Sequence, residues 1–142
     1  MSSATTVALT AERDARAEAV VTGGLDQYNR ERIGRTDSQT LDLLVRDASG
    51  EIVGGLLGHT SLRLFFLDLF YLPPELRRGG LGSRLIAQAE AEARRGGCSA
   101  AFVITATFQA PGFYEKHGYR RFGEIACPPD GATRIFLSKP LG

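Results

Sequence analysis

Leu62-Arg63-Leu64-Phe65-Phe66-Leu67-Asp68-Leu69-Phe70-Tyr71-Leu72-Pro73-Pro74-Glu75-Leu76-Arg77-Arg78-Gly79-Gly80-Leu81-Gly82 is an apolar run stopped by two prolines and followed by a glycine-rich turn. Leu62 to Leu72 reads as a central strand buried on both faces. Pro73-Pro74 ends it, because proline cannot donate to a sheet ladder. Beyond the turn, Leu81, Leu85, Ala89 and Ala93 recur every four residues with Ile86 beside them, while Gln88, Glu90, Glu92, Arg94 and Arg95 fill much of the remainder. That spacing predicts an amphipathic helix. Gly96-Gly97 supplies a left-handed residue to end it, and Ser99 to Thr105 follows as another apolar strand.

Working outward from this strand, turn, helix, strand unit, Leu41 to Arg46 and Ile52 to Gly58 are strand-length runs joined by Asp47-Ala48-Ser49-Gly50, which predicts an antiparallel hairpin. Ala11 to about Asn29 reads as a helix, with Ala15, Ala19, Leu25 and Tyr28 as candidates for a buried face and Gly23-Gly24 as an interruption. Pro111 suits the first turn of a short helix through His117 that Gly118 can end. Tyr119 to Ile125 and Thr133 to Ser138 read as final strands, with Cys127 to Ala132 as the loop between them. The order predicts a mixed α/β domain, a sheet with helices packed on it, over residues 1–142.

Composition narrows the function classes. Of 142 residues, 43% are hydrophobic and 23% charged, the balance of an ordinary globular domain. Seventeen Lys and Arg against sixteen Asp and Glu leave a net charge of +1, which gives no electrostatic case for nucleic acid as partner. Cys98 and Cys127 sit in no CxxC or Cys/His cluster, so neither zinc nor a disulfide scaffold is expected, and no metal. No run approaches the roughly 18 apolar residues of a membrane span, and residues 1–10 lack signal-peptide character. The expectation is a cytoplasmic protein with no membrane partner.

The turn carries the chemistry. Gly79, Gly80 and Gly82 permit positive φ and close backbone approach to a ligand. They stand at a helix start, where free amides and the positive dipole end favour a pyrophosphate, with Arg77 and Arg78 adding charge. The plainer alternative is a tight strand-to-helix connection with solvated arginines. A P-loop would need a lysine after its last glycine, and a dinucleotide fingerprint a glycine where Leu85 stands; neither is present.

Arg77-x-x-Gly80-x-Gly82 after an apolar strand resembles the acetyl-CoA signature of the GNAT superfamily of N-acyltransferases. At the family's distance downstream, Phe113-Tyr114-Glu115-Lys116-His117-Gly118-Tyr119 looks like its Phe-Tyr-x-x-x-Gly-Phe/Tyr segment. The resemblance covers residues 40–139 well and the first forty loosely. It implies the GNAT fold: a mostly antiparallel twisted sheet of six or seven strands, flanked by about four helices and splayed to bind CoA. It implies acetyl-CoA as cosubstrate and an amine as acceptor, and is compatible with a homodimer.

Carried over residue by residue, the resemblance places the pantetheine along the strand end Phe70, Tyr71 and Leu72, and the pyrophosphate on the turn Arg77, Arg78, Gly79, Gly80, Leu81, Gly82 and Ser83. Gln109 lies near a polar pantetheine or amine contact. Tyr114 matches the tyrosine that protonates the departing thiolate; a phenol with an ordinary pKa near 10 is protonated at neutral pH and suits that task. Otherwise it is a packed aromatic. Asp68 interrupts the apolar strand and, by alternation, shares a face with Phe66, Phe70 and Leu72, so a partly desolvated carboxylate acting as general base is expected. The alternative is an Asp bonded to a loop amide. His59, near the end of the preceding strand, is a second candidate base or substrate contact, and His117 reads as an exposed helix residue. Tyr28, Asn29 and residues 128–131 are candidates for the acceptor side.

Two readings follow. One is N-acetyl transfer to a primary amine by direct attack in a ternary complex, without Cys98 or Cys127 as nucleophile. The other is an acyl-CoA-binding regulatory module that keeps the fold without the chemistry.

Overall fold

Six strands form one sheet in the order β1-β2-β3-β4-β6-β5 in the computed structural model, which describes residues 4–35 and 38–142. The chain divides into two compact units, residues 1–36 and 37–142. The first unit holds α1 (Ala15–Ile33). Asp14 starts this helix, its carboxylate accepting from the amides of Arg16 and Ala17, and Gly34 ends it at φ 79° with its N–H bonded to the Arg30 carbonyl. The cap explains why the helix begins four residues later than Ala11. The predicted break at Gly23-Gly24 does not occur: α1 runs through both glycines, each costing about 1 kcal/mol against alanine without ending a helix capped at both ends. No residue of α1 is buried, so the expected buried face is not formed within this unit.

In the second unit β1 (Gln39–Arg46) and β2 (Ile52–Ser61) make the predicted antiparallel hairpin. The Asp47 carboxylate organises its turn by accepting from the Ser49 and Glu51 amides. β3 (Leu64–Tyr71) pairs antiparallel with β2 and parallel with β4 (Ala100–Ala106). The run starts two residues later than expected, because Leu62 and Arg63 adopt φ of 50° and 66° and form the two-residue turn from β2. The helix α2 (Leu81–Arg95) buries Leu85, Ile86, Ala89 and Ala93 of the predicted stripe, together with Glu90, while Leu81 is half-buried. A short α3 (Pro111–Lys116) precedes β5 (Arg120–Cys127) and β6 (Ala132–Pro140). The fold is thus mixed α/β with a mostly antiparallel sheet, with six strands and three α-helices among the described residues, besides a 3-10 turn at Pro74–Leu76. No helix of the described residues is long and apolar enough to cross a membrane.

β3 departs from the expected strand in one respect that shapes the site. Leu67 pairs with Gly58 and Leu69 with Leu57, so Asp68 is an extra residue without a cross-strand partner, a β-bulge. Side-chain parity changes there. Phe65 and Leu67 are buried before the bulge, Phe70 and Leu72 pack inward after it, and Leu69 and Tyr71 are exposed. The strand is therefore not buried on both faces. Asp68 keeps company with Phe66 but not, as simple alternation predicted, with Phe70 and Leu72.

Candidate active site

Parallel pairing of β3 with β4 runs from Leu64–Ala100 to Leu67–Val103 and stops, although β3 continues to Tyr71 and β4 to Ala106. The strands part at the bulge. The gap is a cavity of about 500 Å³ with residues 68–72 on one wall and Ile104, Thr105 and Gln109 on the other. Beyond it the edge of β3 that faced β4 has no strand partner among the described residues, leaving N–H and C=O groups for an extended amide chain. A second cavity of about 490 Å³ lies between the glycine turn and α3, lined by Arg77, Arg78, Gly80, Gly82, Ser83 and Phe113 among others. Phe70, Leu72 and Tyr114 line both, so the cavities adjoin.

Of the three turn glycines only Gly80 takes a positive φ. Gly80 is the N-cap of α2 at φ 83°, preceded by Arg78 at φ 67°, and no side chain caps the helix. Arg84 is the first residue whose amide bonds back, to the Gly80 carbonyl, so the amides of Leu81, Gly82 and Ser83 have no acceptor within the helix. Free donors and the helix dipole there favour an anion. Gly82 has a packing reason as well: a Cβ would lie 3.3 Å from the Phe113 ring, so its absence lets α3 approach the first turn of α2. Arg77 is committed elsewhere. Its Nε donates to the Leu72 carbonyl (2.8 Å) and its guanidinium lies over the Tyr71 ring, fastening the turn to the strand end. Arg78 is exposed.

Tyr114 is buried in α3, edge-on to Phe113 and Tyr119, and lines both cavities. Burial pushes its phenol up to about 12, so it holds its proton across the neutral range. Tyr119 is fixed behind it. The Tyr119 hydroxyl donates to Glu90 Oε2 (2.8 Å), and Lys139 Nζ donates to Glu90 Oε1 (2.7 Å), a network around a carboxylate only 4% exposed. Sequence reasoning assigned Glu90 to the polar face; its i+4 relation to Ile86 and i−3 relation to Ala93, both buried, was the available signal. His117 also departs from expectation. It is half-buried, ring against Phe113, with Nε2 3.0 Å from Ser83 Oγ; burial and then Lys116 hold its imidazole below the usual histidine range.

Gln109 lines the gap between β3 and β4, its Oε1 accepting from the Ala106 amide (2.9 Å) and the Thr105 hydroxyl (3.1 Å) to close the turn after β4. Asp68 lines the same gap with its side chain 47% exposed, where a partly buried carboxylate was expected. Its Oδ2 lies 2.6 Å from His59 Nδ1, which joins two residues that sequence reasoning had set up as rivals. The His59 ring stacks flat on Phe66, its cross-strand neighbour, with centroids 4.5 Å apart. Tyr28 and Asn29 lie on α1 in the first unit, the Arg32 guanidinium over the Tyr28 ring.

Residues 11–128 match the acetyltransferase (GNAT) domain family. An acetyltransferase of Agrobacterium fabrum is 32% identical over 126 residues, 89% of this chain and 92% of that protein. The blasticidin-S acetyltransferase of Streptomyces morookaense is 47% identical over 93 residues, 65% of this chain and 68% of that protein. The crystal structure of an acetyltransferase from Bacillus cereus superposes with a TM-score of 0.74 at 30% identity, covering 93% of this chain and 97% of that one.

Proposed function

From the premise that the chain belongs to the GNAT acetyltransferases, we propose that residues 1–142 act as one N-acetyltransferase domain that moves an acetyl group from acetyl-CoA to a primary amine by direct attack in a ternary complex. The observation that carries this reading is Tyr114: a buried phenol, protonated at neutral pH, lining both the cavity at the glycine turn and the gap between β3 and β4. The pyrophosphate rests on the amides of Leu81, Gly82 and Ser83, and the pantetheine runs along Phe70, Tyr71 and Leu72 with Gln109 opposite. The amine approaches from the Asp68 side and loses a proton there. Its nitrogen attacks the thioester carbonyl, a β3 amide at the bulge receives the oxyanion, the C–S bond breaks as Tyr114 gives its proton to the thiolate, and the remaining excess proton on the nitrogen is lost as the amide forms and restores the Tyr114 phenol.

The test is Tyr114→Phe, which keeps the ring packing and removes the proton. The kcat for thiol release from acetyl-CoA with an amine panel should fall on the order of 10 to 1000-fold, with acetyl-CoA affinity largely kept. Blasticidin S, the acceptor named by one relative, belongs first in that panel. An unchanged kcat removes Tyr114 from the chemistry. Binding of acetyl-CoA by calorimetry without turnover for any amine would favour the regulatory-module reading.

A further inference from the structure

Resting on the acetyl-transfer reading above, we infer that the anion cradle has a side-chain member: the Ser83 hydroxyl donates to a phosphate oxygen of acetyl-CoA, and His117 is the positioning residue that, once protonated, turns it to do so. Three observations converge. Ser83 stands in the first turn of α2, where its own amide has no acceptor within the helix, and it lines the cavity at the glycine turn. His117 Nε2 lies 3.0 Å from Ser83 Oγ, so what this ring nitrogen carries decides what the hydroxyl can offer. The ring is held to that contact: it lies against Phe113 with centroids 4.8 Å apart, and the His117 amide bonds back to the Tyr114 carbonyl at the end of α3.

A serine hydroxyl has one proton to give. While Nε2 carries a lone pair, the hydroxyl donates to the ring and has only lone pairs left for an anion. With a proton on Nε2 the ring donates to Oγ instead, and the hydroxyl proton is free for a phosphate oxygen, which can only accept. The charge of the anion favours the imidazolium as well. Both effects have one sign, so binding brings a proton from solvent onto His117. The charged groups acting on the ring are Lys116 beside it, Glu90 on α2 and Lys139 on β6. Burial and then Lys116 hold the free imidazole below the usual histidine range, with Glu90 opposing and Lys139 adding. Such a ring is mostly neutral above pH 7 and has a proton to gain. A value raised on binding means that affinity for acetyl-CoA grows as pH falls from 8 toward 6.5, by at most about tenfold per pH unit for one proton.

Calorimetry on the full chain with acetyl-CoA, in two buffers of different ionisation enthalpy, counts the protons. Wild type should take up a fraction of one proton per acetyl-CoA bound near neutral pH. His117→Gln, whose amide can donate to Ser83 Oγ at every pH, should take up none, and the affinity of wild type relative to this variant should rise about threefold from pH 8 to pH 6.5. Ser83→Ala should bind acetyl-CoA about fivefold more weakly, the loss of one hydrogen bond. No uptake by wild type, an uptake that survives His117→Gln, or an unchanged affinity in Ser83→Ala overturns the inference. NMR titration of the His117 ring in wild type is independent of how the variants fold: its midpoint should rise with saturating acetyl-CoA, and a midpoint that stays or falls overturns the pairing. A chain that binds no acetyl-CoA speaks against the acetyl-transfer reading itself. The same ring titration with inorganic pyrophosphate then decides the pairing alone, supported by a raised midpoint and overturned by an unmoved one.

Discussion

The two sides of the gap between β3 and β4 are built from different materials. On the proposed cofactor side the groups on offer are backbone: amides at the start of α2, a strand edge without a partner among the described residues, and a glycine with open space before it. On the proposed acceptor side they are side chains, His59 and Asp68, carried by neighbouring strands and joined across them. Gly58 stands next to His59 on β2 and Gly80 at the start of α2, and the two are glycine for opposite reasons. A Cβ on Gly58 would lie 2.5 Å from the Phe66 carbonyl oxygen and 2.8 Å from the Phe65 ring, whereas a Cβ on Gly80 would meet nothing within 4 Å. One site is closed by the protein itself, the other is left open by it.

Gly58→Ala is the largest break in that contrast. The atom in the way is backbone, so β2 and β3 must separate next to the bulge, at a cost on the order of 3 kcal/mol, the upper end of overpacking. Denaturant unfolding should report this loss. The His59–Asp68 pair, which spans the same two strands, should loosen with it, while in the surviving folded fraction the KM for acetyl-CoA stays near wild type. Unchanged stability would mean that the sheet absorbs a methyl there and that the acceptor side is less tightly specified than its packing states.

Gly80→Ala tests the other side with a smaller effect. No neighbour is struck, but alanine at φ 83° pays about 1 kcal/mol for the left-handed conformation. Stability should fall by little more than that. The KM for acetyl-CoA should rise about tenfold, the equivalent of roughly 1.4 kcal/mol, because the amides that follow lose their aim. A variant that loses stability without losing affinity would make this glycine a connector and not part of a cradle.

The same division explains what could be read from the sequence. The proposed cofactor side is local: a strand, its prolines, three glycines and an amphipathic stripe lie within about thirty residues, and each carries its signal in its own spacing. Tyr114 was legible through a motif, and burial pushes its phenol from near 10 up to about 12, still further from the neutral range. The acceptor side is not local. Asp68 was visible as a charge in an apolar run, but the face it occupies depends on a register slip against β2 that no spacing within β3 encodes. His59 and Asp68 were therefore competitors on paper and are partners in space. Glu90 and His117 were missed for a related reason: their partners Tyr119, Lys139 and Ser83 lie 29 or more residues away.

His117 gives the finest cut, because it lies on the cofactor side yet acts through a side chain, bridging the end of α3 to the first turn of α2 at Ser83. Burial and Lys116 depress its folded pKa, and a depressed value means that the unfolded chain binds the proton more readily. Stability from this group is therefore present above the unfolded value near 6.5 and is lost as pH falls from there through the folded value. Thermal unfolding of wild type and His117→Gln from pH 8 to pH 5 isolates the contribution: the Tm of wild type relative to the variant should decline on acidification, with a constant gap above pH 7.5. A gap that stays constant down to pH 5 would show that His117 titrates alike in both states and holds Ser83 through contact alone. The cofactor side would then owe nothing to side-chain protonation except at Tyr114.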